Sequence, residues 1–147
     1  MPSKQKKVLV TGFDAFSKVA SNPSQSIVES LGKDLKLPGK GGKVAIDTLI
    51  LPTCCKEAWT TLKEHLQENE DEYDAIILMG VASTREKISL ERFALNIRDY
   101  RIKDNGGHQY EDELIDKKGP DALRTTLRIV DMNKQLAKFG VPSEVSN

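Results

Sequence analysis

The sequence predicts an α/β protein: an open, mostly parallel, twisted sheet in three layers, with helices on both faces. Three observations carry that expectation. Val8-Leu9-Val10-Thr11 is an apolar, largely β-branched run that ends at Gly12. Lys43–Leu51 and residues 75–79 are two further strand-like runs, and helical spacing separates each from the strand before it. Strands that alternate with helices pair in parallel, and their crossovers place helices on the two sheet faces.

Taken in order, Asn22-Pro23-Ser24-Gln25 reads as a helix start. Asn22 is the N-cap, Pro23 occupies the first helical position and Gln25 the first turn. Over residues 24–36, Ile27, Val28, Leu31 and Leu35 fall on one helical face. A Gly-rich turn, Pro38-Gly39-Lys40-Gly41-Gly42, leads to the alternating strand Lys43–Leu51, which Pro52 closes. Thr53 is the expected cap of the next helix. That helix turns Ala58, Leu62 and Leu66 inward, with Trp59 and His65 on or beside the same face, and ends near Asn69. Ala75-Ile76-Ile77-Leu78-Met79 is apolar without a break, as in a strand covered on both faces.

Residues 81–119 are polar and turn-rich, and predict an insertion of short strands or a hairpin at the carboxyl edge of the sheet. Its strand-like pieces are Phe93-Ala94-Leu95-Asn96-Ile97 and Leu114-Ile115. Residues 120–126 read as a turn or short helix. Residues 130–139 read as a helix with Leu136 and Phe139 inward, and residues 141–145 as a further strand. A parallel strand in that position exposes an edge, so the chain is expected to self-associate there as a homo-oligomer.

Composition narrows the function classes. Residues 1–147 are expected to form a single domain, long enough to bury a core. Lys plus Arg and Asp plus Glu number 22 each, and the isoelectric point is about 6.7. That balance gives no basic footprint for nucleic acid and no attraction to an anionic membrane. No apolar run approaches the length of a membrane span, and no hydrophobic signal core follows the N-terminal lysines. The two cysteines are adjacent, Cys54-Cys55, a spacing that suits neither a loop-closing disulfide nor a tetrahedral zinc site. The expectation is a cytoplasmic protein with reduced thiols and no metal. Residues 1–7 and the Gly-rich turn are the loosest stretches.

Phe13 and Phe16 follow the first strand, where ligands of parallel sheets bind. They either cap the core at the sheet edge or line a site. The whole segment, Val8-Leu9-Val10-Thr11-Gly12-Phe13 and then Asn22-Pro23-Ser24, resembles the opening of the pyroglutamyl-peptidase I (pyrrolidone-carboxylate peptidase) family of cysteine peptidases. Ala15, Ser17 and Lys18 depart from that family's Pro and two Gly. A second, more specific match is Ile88-Ser89-Leu90-Glu91-Arg92-Phe93-Ala94-Leu95-Asn96 with Asp99-Tyr100-Arg101-Ile102 and Asp104-Asn105. Gly119-Pro120-Asp121-Ala122-Leu123 and residues 140–147 complete the resemblance, in the family's order.

The resemblance implies hydrolysis of an N-terminal pyroglutamyl residue from peptides by a cysteine thiolate, without a cofactor. A histidine acts there as base and an acidic residue orients it. It carries the acidic role onto Glu91, the contacts to the flat lactam ring onto Phe13 and Phe16, and a place near the site onto Arg101. Aromatic faces suit a neutral lactam, which has an apolar face and one amide edge. Glu91 has an ordinary alternative, a surface pair with Arg85 or Lys87. Arg101 has one in Asp99 or Asp104. Asn22, placed in the substrate loop and read as ordering it, has one in N-capping.

The family's nucleophile and histidine correspond to positions beyond Asn147. The chain is therefore expected to lack the C-terminal part of the family fold and to be inactive alone. Cys54 and Cys55 sit at an expected helix N-terminus, where backbone amides favour negative charge. His65 is more than two turns along that helix and His108 lies in a Gly-rich turn, so neither is expected to serve as a base for them. A non-catalytic binding protein on the same scaffold is the alternative. A doubly wound nucleotide-binding domain is disfavoured, because Thr11-Gly12-Phe13-Asp14-Ala15-Phe16 puts bulky side chains where phosphate needs bare backbone.

Overall fold

The computed structural model describes residues 5–16, 21–36, 42–69 and 73–146. Ser17, Lys18, the turn at residues 38–41, residues 1–4 and Asn147 lie outside the described residues, and so do the expectations made for them. Two compact units make up the chain, Met1–Val81 with Ile102–His108, and Ala82–Arg101 with Gln109–Asn147.

The first unit is built on strands β1 (Lys6–Phe13), β2 (Asp34–Lys36), β3 (Lys43–Leu51) and β4 (Ala75–Leu78), in the order β2-β3-β1-β4. β1 runs parallel to both β3 and β4, with Val10 opposite Thr48 on one side and Ile77 on the other. β2 is antiparallel to β3. Helix α1 (Pro23–Ser30) follows β1, and α2 (Cys55–Glu68) follows β3. On the α1 face, Val10, Val28 and Ile46 form the buried centre, backed by Val8, Leu31, Val44, Ile50, Ile77 and Met79. Residues alternate across a strand, so Lys7 and Asp47 belong to the other face. There Tyr73 donates to Asp47 Oδ2 at 2.7 Å, and His65 of α2 pairs with the Tyr73 hydroxyl at 2.8 Å. Helices thus cover both faces of this sheet, as expected.

The second unit holds two small sheets. β5 (Ile88–Glu91) pairs in parallel with β8 (Ser143–Ser146), and β6 (Phe93–Leu95) pairs antiparallel with β7 (Ala122–Arg124). Helix α3 (Ile129–Lys138) packs on β8 and β5. Among the described residues no helix is long and apolar enough to cross a membrane.

Several elements differ from the sequence expectation. The first helix ends at Ser30, because Leu31 turns extended and Gly32 follows; Leu35 then sits in β2, opposite Val44. Leu31 still packs on the core, which is why the helical spacing ran on too far. β4 is an edge strand covered on one face: Ala75 and Ile77 are half-buried, while Ile76 and Leu78 are exposed, Leu78 at 62%. Trp59 stands out from α2 and is exposed, whereas Ala58, Leu62 and Leu66 are half-buried. Leu114 and Ile115 form no strand, although neighbouring Glu113 makes an isolated bridge to Arg98. Residues 122–124 are a strand, not a turn or helix: cross-strand pairing with β6 overrides the helical preference of Ala-Leu-Arg. Phe139 is 81% exposed. It caps α3 before Gly140 (φ 71°), whose amide bonds to Ala137 O while that of Val141 reaches Leu136 O. Glycine is suited to that left-handed position.

Asp47 supplies a test of the second sheet face. The Lys7 ammonium, 2.9 Å away, and the Tyr73 hydroxyl outweigh partial burial and hold its carboxyl below the usual aspartate value. The unfolded chain therefore binds more protons than the folded one in that interval, and stability rises with pH there. The contribution is complete above the unfolded value of about 4 and disappears as pH falls through the lower folded value. Asp47→Asn should flatten that acid limb in melts from neutral pH downward; an unchanged limb would assign it elsewhere.

Candidate functional site

The loop that carries Phe13 and Phe16 is set by one close approach. A Cβ on Gly12 would stand 2.5 Å from the carbonyl oxygen of Ser24 and 3.1 Å from the amide nitrogen of Gln25. Only glycine lets β1 end against the first turn of α1 in this way. The turn is capped as the sequence predicts. Asn22 is buried, with Oδ1 accepting from Ser24 N at 3.0 Å and Ser24 Oγ at 2.8 Å. Its Nδ2 donates to Asp14 O at 3.0 Å, so the cap also orders the loop. Ser24 Oγ accepts from Phe13 N at 3.0 Å.

Thr53 holds the loop from the β3 side. Its amide donates to Asp14 Oδ1 at 2.7 Å and its hydroxyl to Asp14 O at 3.1 Å. Thr53 is therefore not the cap of α2; Cys54 is, without a side-chain cap bond. Asn105 closes the third side, donating from Nδ2 to Ala15 O and from its amide to Thr53 O, both at 2.9 Å. Phe13 and Phe16 are half-buried on this fixed backbone, and Phe13 lies beside Gly80. Ser24, Asp14, Thr53 and Asn105 escaped sequence reasoning, because each acts through contacts that no local pattern announces. The adjacency Asp104-Asn105 stood out only within the family resemblance.

The free amide at the start of α2 finds its acceptor far away in sequence. Cys55 N donates to Asp104 Oδ2 at 3.0 Å, and His108 N donates to Asp104 Oδ1 at 2.8 Å. The Asp104 side chain is 7% exposed. Burial pushes its carboxyl up, but the Cys55 and His108 amides and the His108 ring outweigh that and bring it down to about 2. His108 Nδ1 lies 3.3 Å from Asp104 Oδ1 and 3.9 Å from Cys54 Sγ. His108 thus lies beside Cys54, a proximity that its place in a Gly-rich turn does not announce. The three groups do not form a nucleophilic relay, though. A relay uses one imidazole nitrogen for the nucleophile and the other for the carboxylate, whereas here Nδ1 faces both.

The remaining expected site residues belong to the second unit. Glu91 ends β5 with its side chain 54% exposed, and pairs with Arg85 Nη1 at 2.5 Å. Arg101 is exposed; Gln109 Nε2 donates to its carbonyl at 3.3 Å, and its guanidinium forms no ion pair among the described residues.

A mostly parallel α/β sheet with a clamped loop beyond its first strand defines a class of α/β scaffold in which sites form at strand ends. Comparison with known proteins gives the family. Residues 6–147 match the family described as Pyroglutamyl peptidase. Pyrrolidone-carboxylate peptidase of Fusobacterium nucleatum is 37% identical over 142 residues, and that of Bacillus subtilis 38% over 143. Each alignment takes in 97% of this chain and 63% of the relative. The crystal structure of Bacillus amyloliquefaciens pyroglutamyl peptidase I superposes with a TM-score of 0.87 at 35% identity, over 97% of this chain and 66% of that one. The Thermococcus litoralis pyrrolidone carboxyl peptidase superposes with a TM-score of 0.86 at 34% identity, over 97% and 61%. The chain belongs to the pyroglutamyl peptidase family, and spans somewhat less than two thirds of the length of the curated relatives named here.

Asn22 carries the clamp's energetics. Loss of an N-cap costs about 1 kcal/mol, and stranding the buried partners of Asn22 adds about 1–3 kcal/mol. Asn22→Ala should therefore lower stability by about 2–4 kcal/mol in denaturant melts. Asn22→Asp keeps the cap acceptor but loses the donor to Asp14 O, so it should fall between the two. Equal stability of Asn22→Ala and the parent would mean that the loop is ordered by Thr53 and Asn105 alone.

Proposed function

We propose that this chain is a single pyroglutamyl-peptidase-like domain that recognises the N-terminal pyroglutamyl ring of peptides. What supports the reading is the family match over residues 6–147, combined with a first loop whose backbone is clamped from three sides. In it Phe13 and Phe16 contact the lactam faces, Asn22 orders their loop, and Arg101 lies near the peptide. Glu91 takes the acidic role. Its exposed pair with Arg85 is worth at most about 1 kcal/mol, weak enough to be exchanged for an imidazole.

Hydrolysis in this reading needs a thiol and an imidazole that residues 1–147 do not supply, and the chain acts in the cytoplasm. The two thiols of the sequence are Cys54 and Cys55, and the Nδ1-centred arrangement at Cys54 lacks the two-sided relay of a thiol–imidazole–carboxylate triad. A second feature belongs to the same reading. Strand β8, at the expected position, pairs with β5 on one side, and in this reading its other edge pairs with another copy.

Three measurements test the reading. The 147-residue chain should release no chromophore from a pyroglutamyl amide; turnover that vanishes on Cys54→Ser would overturn the assignment of roles. Free pyroglutamate should bind at about millimolar affinity, as suits so few heavy atoms, and Phe13→Ala should weaken it. Chemical-shift titrations identical for the parent and Phe13→Ala would remove the ring contact. Light scattering after size exclusion should find a species larger than 16.3 kDa, and a monomer at all concentrations would dismiss the edge pairing.

A further inference from the structure

Cys54, Asp104 and His108 bring a sulfur, an oxygen and an imidazole nitrogen within 4.8 Å of one another, all in the first unit. Two features point inward to a common centre. The first is the sharing of Nδ1, which lies 3.9 Å from Cys54 Sγ and 3.3 Å from Asp104 Oδ1, so the donors converge instead of lining up. The second is Gly106. A Cβ there would stand 2.6 Å from Cys54 Sγ and 2.8 Å from His108 Nδ1, so only glycine lets the turn hold both donors this close together.

We propose that Cys54, His108 and Asp104 form a binding site for a divalent transition-metal ion of the zinc type, with one coordination position left to water or another ligand. This site is independent of the pyroglutamyl reading above. Zinc binds thiolate, imidazole and carboxylate at about 2.3, 2.0–2.1 and 2.0–2.2 Å. A tetrahedron with those bonds has donor-to-donor edges of about 3.4–3.6 Å. The Nδ1–Oδ1 separation of 3.3 Å nearly matches, and the Sγ–Nδ1 separation of 3.9 Å has to close by a few tenths of an ångström. Magnesium and calcium take oxygen donors, so a sulfur and an imidazole nitrogen select against them.

The supporting groups are in place. Asp104 accepts from the Cys55 and His108 amides, one on each oxygen, and a carboxylate has about four acceptor sites, so one remains on each oxygen for an ion. The segment from Asp104 to His108 is closed by Asp104 N donating to His108 O at 2.9 Å, and Asn105 ties it to Thr53 and Ala15. The His108 side chain is about one-third exposed, which gives the ion a way in. On binding, the Cys54 thiol gives its proton to solvent, while His108 stays neutral with its proton on Nε2. Thiolate and carboxylate then balance the charge of the ion. The adjacency of the two cysteines hides this site in the sequence, because Cys55 is not a ligand and the other two donors come from 50 or more residues away.

Cobalt(II) titration of the metal-stripped 147-residue chain, kept reduced without a chelating thiol, tests the proposal. A thiolate-to-cobalt absorption should grow to one ion per chain and be displaced by Zn²⁺, and Zn²⁺ should raise the melting temperature. Cys55→Ser should retain the band, and Cys54→Ser should abolish it. His108→Gln and Gly106→Ala should weaken binding by about 10–100-fold or more, the latter with all three ligands kept. Melts of each variant separate loss of the site from loss of the fold. A band that survives Cys54→Ser, a band that vanishes with Cys55→Ser, or no band with the folded parent chain would each overturn the proposal.

Discussion

The approach of Gly12 to the Ser24 carbonyl is the constraint on which the first unit depends. It lets the end of β1 touch the first turn of α1, and that contact places the Ser24 hydroxyl on the Phe13 amide. Asn22 then reaches both Ser24 and the Asp14 carbonyl, and Asp14 in turn receives the amide and hydroxyl of Thr53. A larger residue at position 12 would move backbone against backbone, where no side chain can give way. Every later contact of the loop, from Thr53 to Asn105, inherits its register from that point.

Periodicity revealed the long elements and lost the short ones. β1, β3 and α2 are long enough for alternation or helical spacing to be read, and their bounds agree with the sequence expectation to within two residues. Leu35 misled because a helical count cannot see that the chain turns at Leu31 and Gly32 and returns as an edge strand. β5 and β7 are four and three residues long and exist through pairing with β8 and β6, which lie far along the chain. Phe139 misled differently. Its spacing fits the apolar stripe of α3, but the helix closes there with Gly140, and the ring points to solvent.

The candidate site was legible to the extent that it is local. Phe13, Phe16 and Asn22 lie within ten residues, and their roles follow from a strand end and a helix start. Glu91 and Arg101 came from family resemblance, and the structure gives each an exposed setting with no special environment of its own. His108 was set aside because a Gly-rich turn carries no hint of its neighbours. Gly106 and Gly107 (φ 79°) let it return onto Asp104 and Cys54: a Cβ on the first would collide with Cys54 and His108, and the second makes the turn.

Asp104 explains why the loop and the cysteine cluster belong together. Cys54 occupies the N-cap of α2 but offers no oxygen to the helix amides, so the cap acceptor comes from a distant carboxylate instead. A buried carboxylate persists only when donors satisfy it, and the Cys55 and His108 amides do so. Its neighbour Asn105 is thereby fixed against Thr53 and Ala15, at the back of the loop that carries Phe16. Any ligand that draws Cys54, His108 and Asp104 together acts on a segment bonded directly to that loop. Asn105 joins the two by its hydrogen bonds to Ala15 O in the loop and to Thr53 O beside Cys54.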